Sequence, residues 1–411
     1  MLYVVFIVVL YRIGCAIPMP YVSADAMNYI ASFGDGSIFQ YMSIISGSAF
    51  SRATLFALSI SPYINSSIIM QLLCTAIPAL ENMAKEEDGR KKIAKYTRYV
   101  TVLLALITAY GYYAYLKNMG VLTNRGVFAA IVMIACYTAG SCLIMWLGEK
   151  INENGIGNGI SIILFTNIVS SGPSIIQALI SYFSSGSVGY IIAAVLMIII
   201  FIAMVLFIIF MDNSERRLQV QYAKRVVGRK MYGGQSSTLP MKLNMAGVMP
   251  IIFANSILAL PSTIAMLFPT PEKGTFWYGF QQIFSYTSWL YVVLFLVLIV
   301  FFSYFYISIS FNPVEVANNL KNNGGFIPGI RPGKPTCDYI TKVLNKITLM
   351  GATFLGVIAV LPLVVNIISG NRMSGIAFAG TSIIIVVGVA IETAREIEAQ
   401  MTMRHYKGFL E

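Results

Sequence analysis

Few residues in this chain could do chemistry. The only histidine, His405, lies near the C-terminus, so no histidine-based triad or metal site can be assembled around it. The five cysteines, Cys15, Cys74, Cys136, Cys142 and Cys337, have neither a CxxC spacing nor a neighbouring histidine, which speaks against zinc or a disulfide framework. NGIGNG (Asn154–Gly159) has the glycine density of a dinucleotide loop but no βαβ setting, and GRKMYGGQS lacks the GK[ST] ending of a phosphate loop. Arg12–Cys15 has the outline of a lipoprotein cleavage site, yet no basic region precedes it and Arg12 stands where an apolar residue is wanted. What remains is uncharged polarity in apolar surroundings. FALSISPYINSSIIMQLL (Phe56–Leu73) carries Pro62, Asn65, Ser66, Ser67 and Gln71; Asn167 and Asn255 stand in comparable runs. Such groups need protein or water beside them, because hydrocarbon offers no partner.

The elements that hold these residues follow from composition. Of 411 residues, 57% are hydrophobic and only 11% charged, with mean hydropathy +0.75; a soluble domain carries roughly a quarter charged residues. The chain is therefore an integral membrane protein. Ten spans are expected: Leu2–Ile17, Ala53–Ala76, Tyr99–Leu116, Gly126–Leu147, Ile160–Phe183, Tyr190–Met211, Met245–Phe268, Trp289–Ile309, Thr348–Ile368 and Thr381–Ala394. Of the 28 Lys and Arg residues, 22 fall in the even-numbered loops and the tail, and five on the other side. Positive residues stay inside, so both termini are expected in the cytoplasm. Apart from Arg12, no span interior holds Lys, Arg, Asp or Glu; Glu149, Asp212 and Glu392 lie at cytoplasmic ends. Ion-coupled transporters need buried charges of that kind, so the pattern suits a passage for chemically heterogeneous cargo. No cofactor, metal or catalytic residue is expected.

Ile60 and Ile64 are four apart and share a helical face. VMPIIFANSIL (Val248–Leu258) repeats the proline, isoleucine and Asn-Ser of span two in span seven. Two halves of five spans necessarily have opposite orientations, as in inverted repeats. The halves are expected at residues 1–183 and 184–411. The charge of +11 is concentrated in cytoplasmic loops, chiefly 212–242 and 310–346. Both are long for connectors, and GGFIPGIRPGKP (Gly324–Pro335) should be a constrained loop presenting Arg331 to an acidic protein or to RNA phosphates.

IMWLGEKINENGIGNGISIILF, QYAKRVVGRKMYGGQSSTLPMKLNMAGVMPIIFANSIL, FNPVEVANNLKNNGGFIPGIRPGKPT and GTSIIIVVGVAIET, in this order, resemble the SecY family, the large subunits of bacterial protein-conducting channels. The resemblance runs from about Arg12 to the C-terminus. It implies an all-α membrane protein whose two inverted five-helix halves surround an hourglass pore. Its constriction ring falls on Ile60, Ile64, Ile160, Leu164, Ile252 and Ile385. Its plug falls on Ser37–Ser48, with Ser37, Ile38, Phe39, Tyr41, Met42, Ile44, Ile45, Ser46, Gly47 and Ser48 as members. Its lateral gate lies between spans two and three and spans seven and eight, with Asn65 and Asn255 near the seam. Lys224, Arg225 and Arg331 match residues that engage the motor ATPase SecA and the ribosome. The implied partners are also the small membrane subunits SecE and SecG, unfolded polypeptides with signal sequences, and lipid, in a bacterial plasma membrane. The chain departs from the family at Gln219, Thr238, Ser48 and Leu164. It also begins almost inside span one, without the basic amphipathic N-terminal stretch usual in the family, which is compatible with a truncated or alternative start. A small-solute transporter, or an insertase without a pore, would share the span count. The first lacks its membrane carboxylates, and the second has no use for six aligned aliphatic residues.

Overall fold

Prolines and glycines decide where the apolar runs of this chain become helices. The computed structural model describes residues 2–23, 43, 46–184, 188–222, 225–227, 230–232, 236–265, 276–285, 288–368 and 374–407. Helix α1 (Leu2–Ala16) is followed, after residues 46–60, by α2 (Ser61–Ala76). The second expected span thus becomes helical eight residues late. Ala53 and Ser59 take left-handed backbone angles (φ 45° and 52°), which a continuing helix cannot accommodate. Pro62 then occupies the first turn of α2, where its missing amide costs no bond. Pro78 opens α3 (Pro78–Lys85), bent 106° from α2.

Helices α4 (Glu87–Asn118) and α5 (Val127–Asn154) come next, both longer than the expected spans. The fifth span is broken into α6 (Gly159–Ser170) and α7 (Gly172–Ser184). Pro173 has no amide to bond back to residue 169, so the first helix cannot run through it. Then come α8 (Val188–Asp212), α9 (Met249–Ala265), α10 (Phe276–Ile283), α11 (Trp289–Ser310), α12 (Pro313–Asn322), α13 (Lys334–Ile368) and α14 (Ser374–Lys407). Each of the ten expected spans contains an apolar helix. Among the described residues, α4, α5, α8, α11 and α13 are long and apolar enough to cross a membrane alone, and the bent pair α2–α3 makes a sixth. Helices α1, α6 and α9 have only 15, 12 and 17 residues. At about 1.5 Å per residue they fall short of a roughly 30 Å hydrocarbon core.

The basic loops contain strands that their charge and glycine content do not announce. β1 (Glu215–Tyr222) pairs antiparallel with β4 (Ser236–Lys242) from Glu215↔Lys242 to Gln221↔Ser236. It also pairs with β5 (Gly325–Phe326) through Gln221↔Phe326 and Tyr222↔Gly325. β2 (Arg225–Val227) and β3 (Lys230–Tyr232) form a separate hairpin. Leu218 and Val220 are buried while their neighbours are exposed, the period-two pattern of a half-buried strand. One short sheet therefore ties loop 212–242 to loop 310–346.

Helices α2 and α4 touch α9; elsewhere α6 touches α14 and α7 touches α8. A single apolar cluster extends from Ile7 and Tyr11 of α1 through Ile64 and Ile252 to Phe302 and Ile384. A second surrounds Tyr112 and Tyr137, stacked edge to face at 5.1 Å, beneath residues 50–57. Tyr112, with no exposed surface, donates its hydroxyl to the carbonyl of Phe50 at 2.6 Å. Tyr112→Phe should destabilise the fold by about 1–2 kcal/mol, measured as earlier thermal unfolding in detergent; an unchanged midpoint would show that this bond does not hold residues 46–60 in place.

Candidate functional site

Isoleucine 60 sits just before α2 rather than within it, at φ −88° and ψ 0°. Its carbonyl still accepts from the Ile64 amide at 3.1 Å, so the two side chains keep their four-residue spacing at the helix entry. Ile160 and Leu164 stand one turn apart at the start of α6. The Asn158 side chain fixes that start by accepting from the amides of Ile160 (3.0 Å) and Ser161 (3.4 Å), and Asn152 accepts from Gly159 at 2.7 Å. NGIGNG is therefore a helix-capping turn. Gly159 is required because any side chain there would strike the carbonyl of Gly148, where α5 and α6 lie against each other. Ile252 comes from the first turns of α9 and Ile385 from the middle of α14.

All six aliphatic residues join one apolar cluster. Ile60, Ile64, Leu164, Ile252 and Ile385 are buried, and Ile160 is half-buried against them. A cavity of about 80 Å³ opens beside them, with Ile64, Leu164, Ile252 and Ile385 on its wall. Ile60 and Ile160 belong to the cluster but not to that wall. Ser46 and Phe50 contribute to the wall as well. Ser46 is buried, donates to the carbonyl of Ser43 at 3.1 Å and accepts from the Phe50 amide at 2.9 Å. Gly47 and Ser48 turn sharply there, at φ 62° and 68°. Of the segment assigned as plug, Ser37, Ile38, Phe39, Tyr41, Met42, Ile44 and Ile45 lie outside the described residues.

Asn65 and Asn255 also face the cavity, from α2 and α9. Asn255 is 3% exposed, and its Nδ2 has no hydrogen-bond partner among the described residues. By contrast, Ser66 donates to the carbonyl of Thr97 at 2.7 Å, tying α2 to α4. Among the described residues no hydrogen bond joins α2 to α9. That contact is apolar packing around a buried amide.

In the basic loops, Lys224 lies outside the described residues, and of Arg225 only the backbone is placed, at the start of β2. Arg331 is exposed in a turn whose shape is fixed: its carbonyl accepts from Thr336 Oγ1 at 2.8 Å, and Gly329 and Gly333 take φ of 82° and 104°. Two further contacts are legible in the sequence only as opposite charge at span ends. Arg395 of α14 donates to Asn213 Oδ1 at 2.7 Å and to the Asp212 carbonyl at 3.1 Å, so the foot of the basic loop is clamped to the helix carrying Ile385. Arg98 of α4 donates to Glu149 of α5 at 2.8 Å.

Residues 54–394 match the SecY family model. The chain is 41% identical to the protein translocase subunit SecY of Streptomyces galbus, over 100% of this chain and 96% of that protein. It is also 41% identical to the same-named subunit of Mycobacterium tuberculosis, with the same coverage of both. Among solved structures, a protein-conducting channel superposes with TM-score 0.68 at 17% identity, covering 98% of this chain and 92% of that one. Sec61 from the canine ribosome–channel complex of the endoplasmic reticulum gives TM-score 0.65 at 16% identity, again over 98% and 92%.

A buried amide without a partner is costly, and an apolar residue of similar size avoids that cost. Asn255→Leu should therefore stabilise the α2–α9 contact by about 1–2 kcal/mol, read as a higher thermal midpoint in detergent. A lower midpoint would show that the amide supports the seam.

Proposed function

The chain belongs to the SecY family, and we propose that the cavity among α2, α6, α9 and α14 is the closed pore of its protein-conducting channel. The protein is a multi-pass membrane channel, not an enzyme. It moves polypeptides across the membrane. The observation that carries the pore reading is the convergence of Ile60, Ile64, Ile160, Leu164, Ile252 and Ile385, from four helices remote in sequence, into one uncharged aliphatic cluster beside a cavity. Such a constriction resists ions by dewetting, yet deforms around an unfolded chain because it makes no directional bonds.

Residues 37–48 act as the plug, whose last turn, at Ser46–Ser48, reaches the cavity wall. The halves 1–183 and 184–411 meet along two lines, α2 and α4 with α9, and α6 and α7 with α14 and α8. The first is the lateral gate. Apolar packing with Asn65 and Asn255 at its centre separates at modest cost, since the amides gain water when it opens. Transmembrane segments of the cargo leave there into lipid. The second line is the hinge.

The canine neighbour comes from a complex with a ribosome. In this chain the turn that presents Arg331, next to the sheet joining the basic loops, suits ribosomal RNA phosphates and SecA by the same surface, and Lys224 and Arg225 belong to the same docking set. SecE and SecG complete the assembly. The asymmetry of 22 positive residues against five on the opposite side supports a topology with these loops and both termini in the cytoplasm, and family membership supports spans in a bacterial plasma membrane.

A stalled secretory precursor should crosslink to photoreactive probes at Ile64, Ile160 and Ile252 and not at Ile199, which is 61% exposed on α8. Equal labelling at all four, or none at the ring, would overturn the pore assignment. Arg331→Glu should cut SecA-driven export at least tenfold, about the loss expected from inverting one central charged contact, while leaving insertion of the channel itself intact; normal export would remove Arg331 from the docking surface.

A further inference from the structure

Among the expected spans, Arg12 is the one interior charge, and a guanidinium in hydrocarbon marks a functional position. Its head leaves α1 toward the end of α6, where Nη2 donates to Ser170 Oγ at 2.6 Å. Nη1 is buried and has no hydrogen-bond partner among the described residues. The turn at Gly47 lies against it: a methyl group on Gly47 would lie 2.7 Å from Nη1 and 3.0 Å from Asn167 Oδ1. Gly47 and Ser48 hold φ of 62° and 68°, so the turn presses a residue without a side chain onto the guanidinium.

A charged donor buried without an acceptor raises the free energy of whichever state buries it. Here that is the state with residues 46–48 seated at the cavity wall. We infer that Arg12 is a positioning residue that biases the channel toward opening, because the seated turn keeps Nη1 dry and its departure lets water reach it. This rests on the reading of residues 37–48 as the plug. A latch acting through the bond to Ser170 would have the opposite sense, since loss of Arg12 would then release the plug.

The two senses separate in the full chain reconstituted with its small subunits in vesicles of phosphatidylethanolamine and phosphatidylglycerol, with potassium leak measured in the idle state. Arg12→Met keeps the length and removes the guanidinium; leak should fall about fivefold, and export of a precursor with a weakened signal sequence should fall with it. Ser170→Ala takes away the acceptor of Nη2 and leaves that nitrogen without it beside the buried Nη1; leak should rise about fivefold. Opposite signs support the inference. A rise in both variants, as a latch or a simple loss of packing would produce, overturns it, as does an unchanged leak in either. If Arg12→Met fails to assemble, Arg12→Gln, also neutral but polar, must lower the leak, and a rise or no change overturns the inference equally. Deletion of residues 38–46 separates this from the pore reading. A deletion that leaks, beside an Arg12 and Ser170 pair that move together, defeats the Arg12 inference alone. A deletion as tight as the parent defeats the plug and pore with it.

Discussion

Hydrocarbon supplies no hydrogen-bond partner, and the arrangement of this protein depends on how each polar group inside its apolar helices is treated under that constraint. Most are satisfied locally. Thr101, Thr108 and Thr138 donate to carbonyls one turn earlier in their own helices. Ser66 reaches across to Thr97, and the Asn158 side chain caps α6. These bonds rigidify the packing within each half. At the contact between α2 and α9 the treatment changes. Asn65 and Asn255 face a cavity, and among the described residues no hydrogen bond joins the two helices. A contact of that kind can part at less cost than one held by directional bonds.

The same constraint accounts for the broken helices. Residues 46–60 carry backbone groups that no helix satisfies, and they are buried in protein around Tyr112 and Tyr137 rather than set against lipid. Non-helical backbone at membrane depth is tolerated only in such surroundings. The start of α2, at Ser61 and Pro62, lies at the cavity wall, as do Ile168 near the end of α6 and Thr263 near the end of α9. Long helices such as α8 carry the exposed apolar surface outside, with Ile199 and Leu206 among its most exposed residues.

Contacts at the basic-loop end join those loops to the helix that carries Ile385. The sheet β4-β1-β5 draws two loops about a hundred residues apart in sequence into one unit. Arg395 fastens the foot of that unit to α14, ten residues along the helix from Ile385. The strand ladder and the Arg395 contacts therefore form a continuous path from Gly325–Phe326 to α14.

By itself the chain determined the membrane class, because its composition cannot be kept in water, and it determined where the apolar runs fall, because long hydrophobic runs have few fates other than helices. It also determined that the basic residues gather in a few loops between the apolar runs. Only the tertiary structure decided where helices stop. Ser59 and Ala53 adopt left-handed angles that their residue types do not favour, whereas the break before Pro173 is written in the sequence. It also decided the meaning of residues whose types were unremarkable. Leu164 and Ile385 could have been packing residues anywhere in a bundle, since an aliphatic side chain carries no address of its own. Their convergence with Ile64 and Ile252 is a relation among four helices, set by packing over hundreds of residues of separation. Likewise Arg12 reads in the sequence as an anomaly in an apolar run. The fold is what lays Gly47 over its guanidinium.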